Sequence, residues 1–401
     1  MVGVKTLSVR RRSFLTGTIA LVCSQLAIGC QTSESLALSV KFLEDAVPAA
    51  MLGEFRRTIE RAVRLDFSSE PQLSDLFDLL RQWKPVVREE SSGDNVLNFP
   101  FFKSQKSKIP NLALIGDYWL SKAISAELIQ GFDPQPWTQW KDLPQQPIEW
   151  HHFVTQNDLV WGVPYRWGST VIAYRIDKFR SLGWTPTDWA DLWSPELRQR
   201  IALPDSPRQT IGLTLKKLGN SYNCPDLNAV PGLDRELSSL HQQAKFYSST
   251  AYQQPLQRGD VWAVVGSSRD ILAMPQYGKQ IAAVVPESGT ALWADLWVRP
   301  ANAETSELVD RWLDFCWTPQ IARQLSLLTF ALSPAISIEH RSDLPESLQN
   351  NSILLPDATI VKRSEFIKPF TDETTIEQYR SLWLKIRSSG SNPKSTSQIS
   401  E

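Results

Sequence analysis

The sequence predicts an α/β protein built around a mainly parallel sheet. Between residues 38 and 83, short apolar runs alternate with segments of helical period, an order that needs crossover connections. The chain has 401 residues, enough for two ordinary domains or for one unit of two lobes. Its composition, 42% apolar and 21% charged, is that of a folded chain with a sizeable core.

The elements follow in order. Leu38 to Phe42 alternates and then runs apolar, as a first strand would. Pro48 to Arg57 has helical spacing, with Met51, Leu52 and Phe55 on one side. Val63 to Phe67 reads as the second strand. Leu73 to Trp83 is an amphipathic helix through Leu73, Leu76, Phe77 and Leu80. Val86 to Lys108 is polar and irregular, a loop. Asn111 to Ile115 is a buried strand that ends in Gly116-Asp117, and a helix is expected over Trp119 to Ile129. Trp161 to Tyr174 alternates around Pro164 and Gly168, as a long bent strand does. Trp184 to Arg200 forms Trp-rich helical turns with Thr and Asp available as caps. Strands at 201–203, 261–265, 280–285 and 293–298 and helices at 208–218, 304–317 and 319–328 complete the pattern.

The N-terminus reads as an address. Residues 1–12 are basic and residues 14–29 are apolar and small, the two regions of a signal peptide; the apolar stretch is shorter than the ~20 residues a span needs. Arg11-Arg12-Ser13-Phe14-Leu15 resembles the twin-arginine export motif, and Ala27-Ile28-Gly29-Cys30 a bacterial lipobox in which Cys30 takes the lipid. Gln31 to Ala37 reads as a tether, and residues 388–401 as a disordered tail rich in Ser, Asn, Pro and Lys.

Several chemistries are excluded. Formal net charge is −1, and residues 1–29 contribute four bases and no acid, so the rest is mildly acidic and unsuited to nucleic acid. Phosphate-cradling Gly loops and the HExxH and GxSxG signatures are missing, which leaves no nucleophile with its base and no cofactor motif. His151 and His152 are adjacent and would point apart, so they read as a solvated loop rather than a metal pair. Cys23, Cys30, Cys224 and Cys316 have no CxxC spacing; pairing of Cys224 with Cys316 stays open beside two free thiols. Most of the sixteen tryptophans should pack in the core.

Ligands on such sheets bind beyond the strand ends. That directs attention to Glu44-Asp45, Gly116-Asp117-Tyr118, Pro204-Asp205-Ser206, Gly266-Ser267-Ser268 and Trp293-Ala294-Asp295, the last at the start of a strand.

Several segments resemble the bacterial spermidine/putrescine-binding proteins. Val163-Pro164-Tyr165-Arg166-Trp167-Gly168-Ser169-Thr170 is similar to that family's Pro-Tyr-x-Trp-Gly-x-Thr segment, and Trp189-Ala190-Asp191-Leu192-Trp193 to its Trp-Ala-Asp-Leu-Trp. Leu215-Lys216-Lys217-Leu218-Gly219, Trp293-Ala294-Asp295 with Pro300-Ala301-Asn302-Ala303, and Leu355-Pro356-Asp357 follow in the family's order, so the resemblance covers residues 38–387. It implies a two-lobed periplasmic-binding fold of type II, with a hinge and an interlobe ligand cleft. The first lobe would comprise 38–165 and 293–332, and the second 166–292 and 333–387. The chains would cross near Pro164–Gly168 and Trp293–Asp295.

The implied role is the monomeric binding component of an ABC-type uptake system, working with a permease and an ATPase, and not an enzyme. Carried over by position, the ligand set is Asp295 with Trp293, Tyr118 and Trp119 as an aromatic wall, and Glu44 and Asp45 in the first loop. Departures stand beside these. Leu43 and Ala46 replace an aromatic pair, Ser206 and Gln209 replace two acids, Ser267 replaces a Trp, Ala331 replaces a Tyr, and Arg269 adds a positive charge. Neutral Ser and Gln cannot balance a buried cation. A polyamine is therefore implied by the family, with a zwitterionic or hydroxylated solute, or a ligand sensor without transport, as the alternatives.

Overall fold

The computed structural model describes residues 37–84 and 108–388. The signal peptide, Cys30, most of the tether, nearly all of the 86–108 loop and the tail from residue 389 lie outside the described residues.

Most of the described strands join one mixed sheet, eight of them in a continuous path. Arg64–Glu70, Ala37–Leu43 and Leu112–Gly116 pair in parallel, in the order expected of crossovers. Two long antiparallel strands, Ala291–Pro300 and Val163–Arg175, occupy the middle. Beyond them lie Ala263–Ser267, Ile201–Leu203 and Ala244–Tyr247. The two central strands thus belong to both halves. Val163–Arg175 meets Ala291–Pro300 along its first part and Ala263–Ser267 and Ile281–Val284 along its second.

A register slip marks the crossing. Asp295 lies opposite Arg166, but Leu296 lies opposite Pro164, so Tyr165 has no partner across the ladder. Pro164 has no N–H to give a ladder, and a bulge at such a position twists the strand and re-aims neighbouring side chains. Tyr165 turns into the core and donates its hydroxyl to the Ala46 carbonyl at 2.9 Å.

Two apolar cores flank this spine. The first packs the helices Ala49–Arg57, Leu73–Trp83, Glu307–Trp317 and Pro319–Thr329 through Met51, Phe55, Leu76, Leu80, Trp312 and Leu325. The second gathers Trp189, Leu203, Ile211, Tyr222, Leu237 and Leu240. Nine of the sixteen tryptophans are buried, as expected of large flat apolar groups. The stretch after Leu332 is shared: Ile336, Leu348, Leu355 and Val361 join the first core, and Tyr379, Leu382 and Ile386 the second.

Other departures have local causes. The helix expected over 119–129 is a 3₁₀ turn, Asp117–Trp119, followed by Leu120–Ser125; the chain then reverses at Glu127, whose φ is 53°, and enters a strand at Ile129. His151 and His152 sit on the short helix Trp150–Val154 instead of a loop. His151 packs on Trp140, ring centroids 4.3 Å apart, with Nε2 2.7 Å from the Trp140 carbonyl. Trp293 is not at a strand start; the strand begins at Ala291. Cys224 and Cys316 are free thiols. Among the described residues no helix is long and apolar enough to cross a membrane, and no cluster of His, Cys, Asp and Glu could hold a metal ion.

Candidate functional site

A cavity of about 470 Å³ opens where the central strands cross, within the range of small-molecule sites. Much of its wall comes from element ends, and the rest from the central strands. Gly116-Asp117-Tyr118 ends the third parallel strand, Ser206 and Gln209 begin the Pro207–Lys217 helix, Ser267 and Arg269 follow Ala263–Ser267, and Trp293 and Asp295 come from the central strand.

Of the residues singled out in the sequence, the structure brings together Tyr118, Ser206, Gln209, Ser267, Trp293 and Asp295 on this wall. Three stand elsewhere. Trp119 stacks on Phe77 at 4.5 Å and packs against the first core. Glu44 and Asp45 are exposed and do not line the cavity. The loop they occupy touches the crossing through its backbone: the Asp45 carbonyl lies 3.5 Å from Arg166 Nη1.

Trp293 is positioned by its partner strand. It stands opposite Gly168, and a Cβ built on Gly168 would come within 2.5 Å of Trp293 Cζ2 and 2.6 Å of Ser268 Oγ. Glycine is required there for the close approach that seats the indole against the sheet.

The charges on the wall are mostly spoken for. Arg166 Nε donates to Asp295 Oδ2 at 2.7 Å, and both side chains are almost fully buried. Arg269 donates from Nε and Nη2 to Asp270 Oδ1 at 3.1 and 3.0 Å. The Tyr252 hydroxyl donates to Asp270 Oδ2 at 3.0 Å. Burial alone would lower the Arg269 pKa, but Asp270 and Asp295 beside it hold it above the usual value. Asp117 is different. It makes no ion pair among the described residues and accepts a backbone hydrogen bond from Ala294 N at 2.9 Å. Burial raises its pKa to about 7; the Ala294 hydrogen bond opposes this and the neighbouring Asp295 charge adds to it.

Ser206 caps its helix, accepting from Gln209 N at 3.4 Å, and Pro207 occupies the first helical position. Between them stands Arg208, which also lines the cavity. Its guanidinium lies 3.7 Å from the Phe370 ring centre and donates to Tyr222 O, Asn223 Oδ1 and Lys368 O at 3.2, 2.9 and 2.9 Å. Sequence reading pointed to Asp117 at a strand end and to Arg269 beside Ser267, and missed Arg166, Arg208 and Asp270 as members of the site; nothing in the sequence pairs Arg166 with Asp295.

The chain is similar to known proteins. Residues 107–363 fit the family model described as bacterial extracellular solute-binding protein. The chain belongs to this family. Membership agrees with the expected fold and with a binding protein rather than an enzyme. The chain is 27% identical over 282 residues to the spermidine/putrescine-binding periplasmic protein of Salmonella typhimurium, covering 70% of this chain and 79% of that protein. It is 27% identical over 264 residues to the Escherichia coli protein of the same name, covering 66% and 74%. The spermidine/putrescine ABC transporter substrate-binding protein of Streptococcus pneumoniae, solved with calcium and HEPES, superposes with a TM-score of 0.74 at 19% identity, over 88% of this chain and 99% of that one.

Proposed function

We propose that this solute-binding protein captures a small molecule bearing an ammonium group in the cavity between its central strands, and delivers it to an ABC-type permease and ATPase. The observation that carries the reading is the cavity wall at the crossing, which Trp293 lines together with Asp117 and Asp295. An ammonium gains roughly 2 kcal/mol or more from an aromatic face once desolvated, and more from a carboxylate beside it. The relatives named for spermidine and putrescine bind cations of this kind and supply the transport context. Strands shared by both halves make a natural hinge, about which a bound solute would favour the closed form.

Thermal unfolding with a panel of amines tests this. A ligand at 100 times its Kd adds about 2.7 kcal/mol of stability by linkage. A raised midpoint that Asp117→Asn abolishes supports capture. No shift with any amine rejects it.

Capture for uptake also needs the right compartment. Export by the twin-arginine route through Arg11-Arg12, and anchoring by lipid at Cys30, complete the reading. Cys30→Ser should move the protein from the membrane fraction to the soluble one, and Arg11→Lys with Arg12→Lys should keep it inside the cell.

A further inference from the structure

We propose that the cleft takes a zwitterion, a solute whose ammonium group sits by Asp117 and Asp295 and whose carboxylate meets Arg208. This rests on the capture reading above and names the ligand class.

The charge on the wall decides it. Asp117, Asp270 and Asp295 line the cavity with Arg208 and Arg269, and Arg166 stands directly behind Asp295. Three carboxylates therefore meet three guanidiniums. Asp295 is paired to Arg166, and Asp270 to Arg269. Only Asp117 has no ion pair among the described residues. One ammonium finds an uncommitted counter-charge; the second and third of a polyamine do not. Burying an unbalanced cation is costly, and the wall offers no compensation.

At the other end the excess is positive. Arg208 forms no ion pair among the described residues. Its three hydrogen-bond acceptors, Tyr222 O, Asn223 Oδ1 and Lys368 O, are all neutral, and its Nε is buried without a hydrogen bond. Stacking on Phe370 fixes the plane of the guanidinium. Burial lowers its pKa, and the nearby Glu365 carboxylate, which pairs with Lys216, offsets this only in part. Its neighbours on the wall, Ser206 and Gln209, are uncharged, and the nearby Asp205 is taken by Arg387 at 2.8 Å. A planar guanidinium held by neutral groups beside hydroxyl and amide donors suits a carboxylate. Ser206 and Gln209, which remove two acids from the polyamine pattern, thus belong with Arg208 as one neutral-to-positive end.

Putrescine and 4-aminobutanoate differ only in replacing one ammonium end by a carboxylate, so they form the deciding pair. Calorimetric titration of the full chain uses these two, glycine and 6-aminohexanoate to vary the spacing, butanoate, and spermidine. The tightest ligand should be an amino acid of this series, at least about ten-fold tighter than putrescine, spermidine or butanoate, as expected for one charge-assisted contact. Arg208→Gln should weaken that amino acid about ten-fold or more and leave putrescine no weaker. Because Arg208 also ties three chain segments together, Gln209→Glu is the second variant. It keeps the cap backbone, and should weaken the amino acid while strengthening putrescine. If putrescine or spermidine binds tightest, or if both variants leave the amino acid's affinity unchanged, the zwitterion is rejected while capture of an ammonium stands. If no amine or amino acid binds, both fall.

Discussion

Arg166 and Asp295 face each other across the two central strands, Nε to Oδ2 at 2.7 Å, with both side chains closed to solvent. They are the last pair of a regular register, and the strands slip by one residue directly after them, between Asp295 and Leu296. The carboxylate that the family resemblance assigns to the ligand is therefore half of a buried ion pair.

That pairing predicts how the obvious mutation behaves. Asp295→Ala leaves Arg166 buried and unbalanced, and should cost about 3–5 kcal/mol of stability. Arg166→Met with Asp295→Leu should cost much less, since both charges leave together. Denaturant unfolding of the two variants compares them. Equal losses would show that the pair is not coupled. Loss of ligand binding in Asp295→Ala alone is thus no proof of direct contact, and Asp117→Asn is the cleaner probe.

Asp117 predicts a pH dependence. Its folded-state pKa is raised from 3.8 to about 7, so the folded chain holds a proton that the unfolded chain has released. Stability from this group is full below about pH 4 and is lost as pH rises to about 7, a change on the order of a few kcal/mol at most. Asp117→Asn should flatten that fall. Ligand affinity has the opposite slope. An ammonium favours the ionised carboxylate, so binding should tighten from pH 6 to pH 8 while the amine, with a pKa near 10, stays charged. The same variant should remove the trend. A pH-independent affinity in the parent chain would show that Asp117 does not face the ammonium.

Gly168→Ala tests the seat of Trp293. The added Cβ would fall 2.5 Å from the indole, which must move. The expected cost is about 1–3 kcal/mol, with a shifted tryptophan emission and weaker ligand binding. Unchanged emission and affinity would mean that the indole position does not matter to the ligand.

The two described cysteines should differ in reactivity. Cys316 is buried, and burial pushes its thiol pKa well up, whereas Cys224 is partly exposed. In a Cys23→Ser, Cys30→Ser background, one thiol per native chain should react quickly with a maleimide, and a second only on unfolding. Two fast thiols would contradict the packing around Cys316.

Much of the molecule was legible from local pattern. The helix at Leu73–Trp83 has the bounds that its period predicts, and the strands at Ile201–Leu203 and Val163–Arg175 fall where β-type runs end in Gly, Pro and Asp. Period and turn chemistry are local, so a sequence carries them in full. Strand ends likewise pointed to Tyr118, Ser206, Ser267 and Asp295, because ligands on such sheets gather there. What the tertiary structure alone decided is which charges cancel. Arg166 is 129 residues from Asp295, and only the antiparallel pairing of the two central strands sets them in contact. Arg208 reads as one more exposed helix base until Phe370, Asn223 and Lys368, far along the chain, enclose it. A residue's type fixes its charge; the distance to a counter-charge and the water left around it fix what that charge can bind, and both are set by contacts between segments remote in sequence.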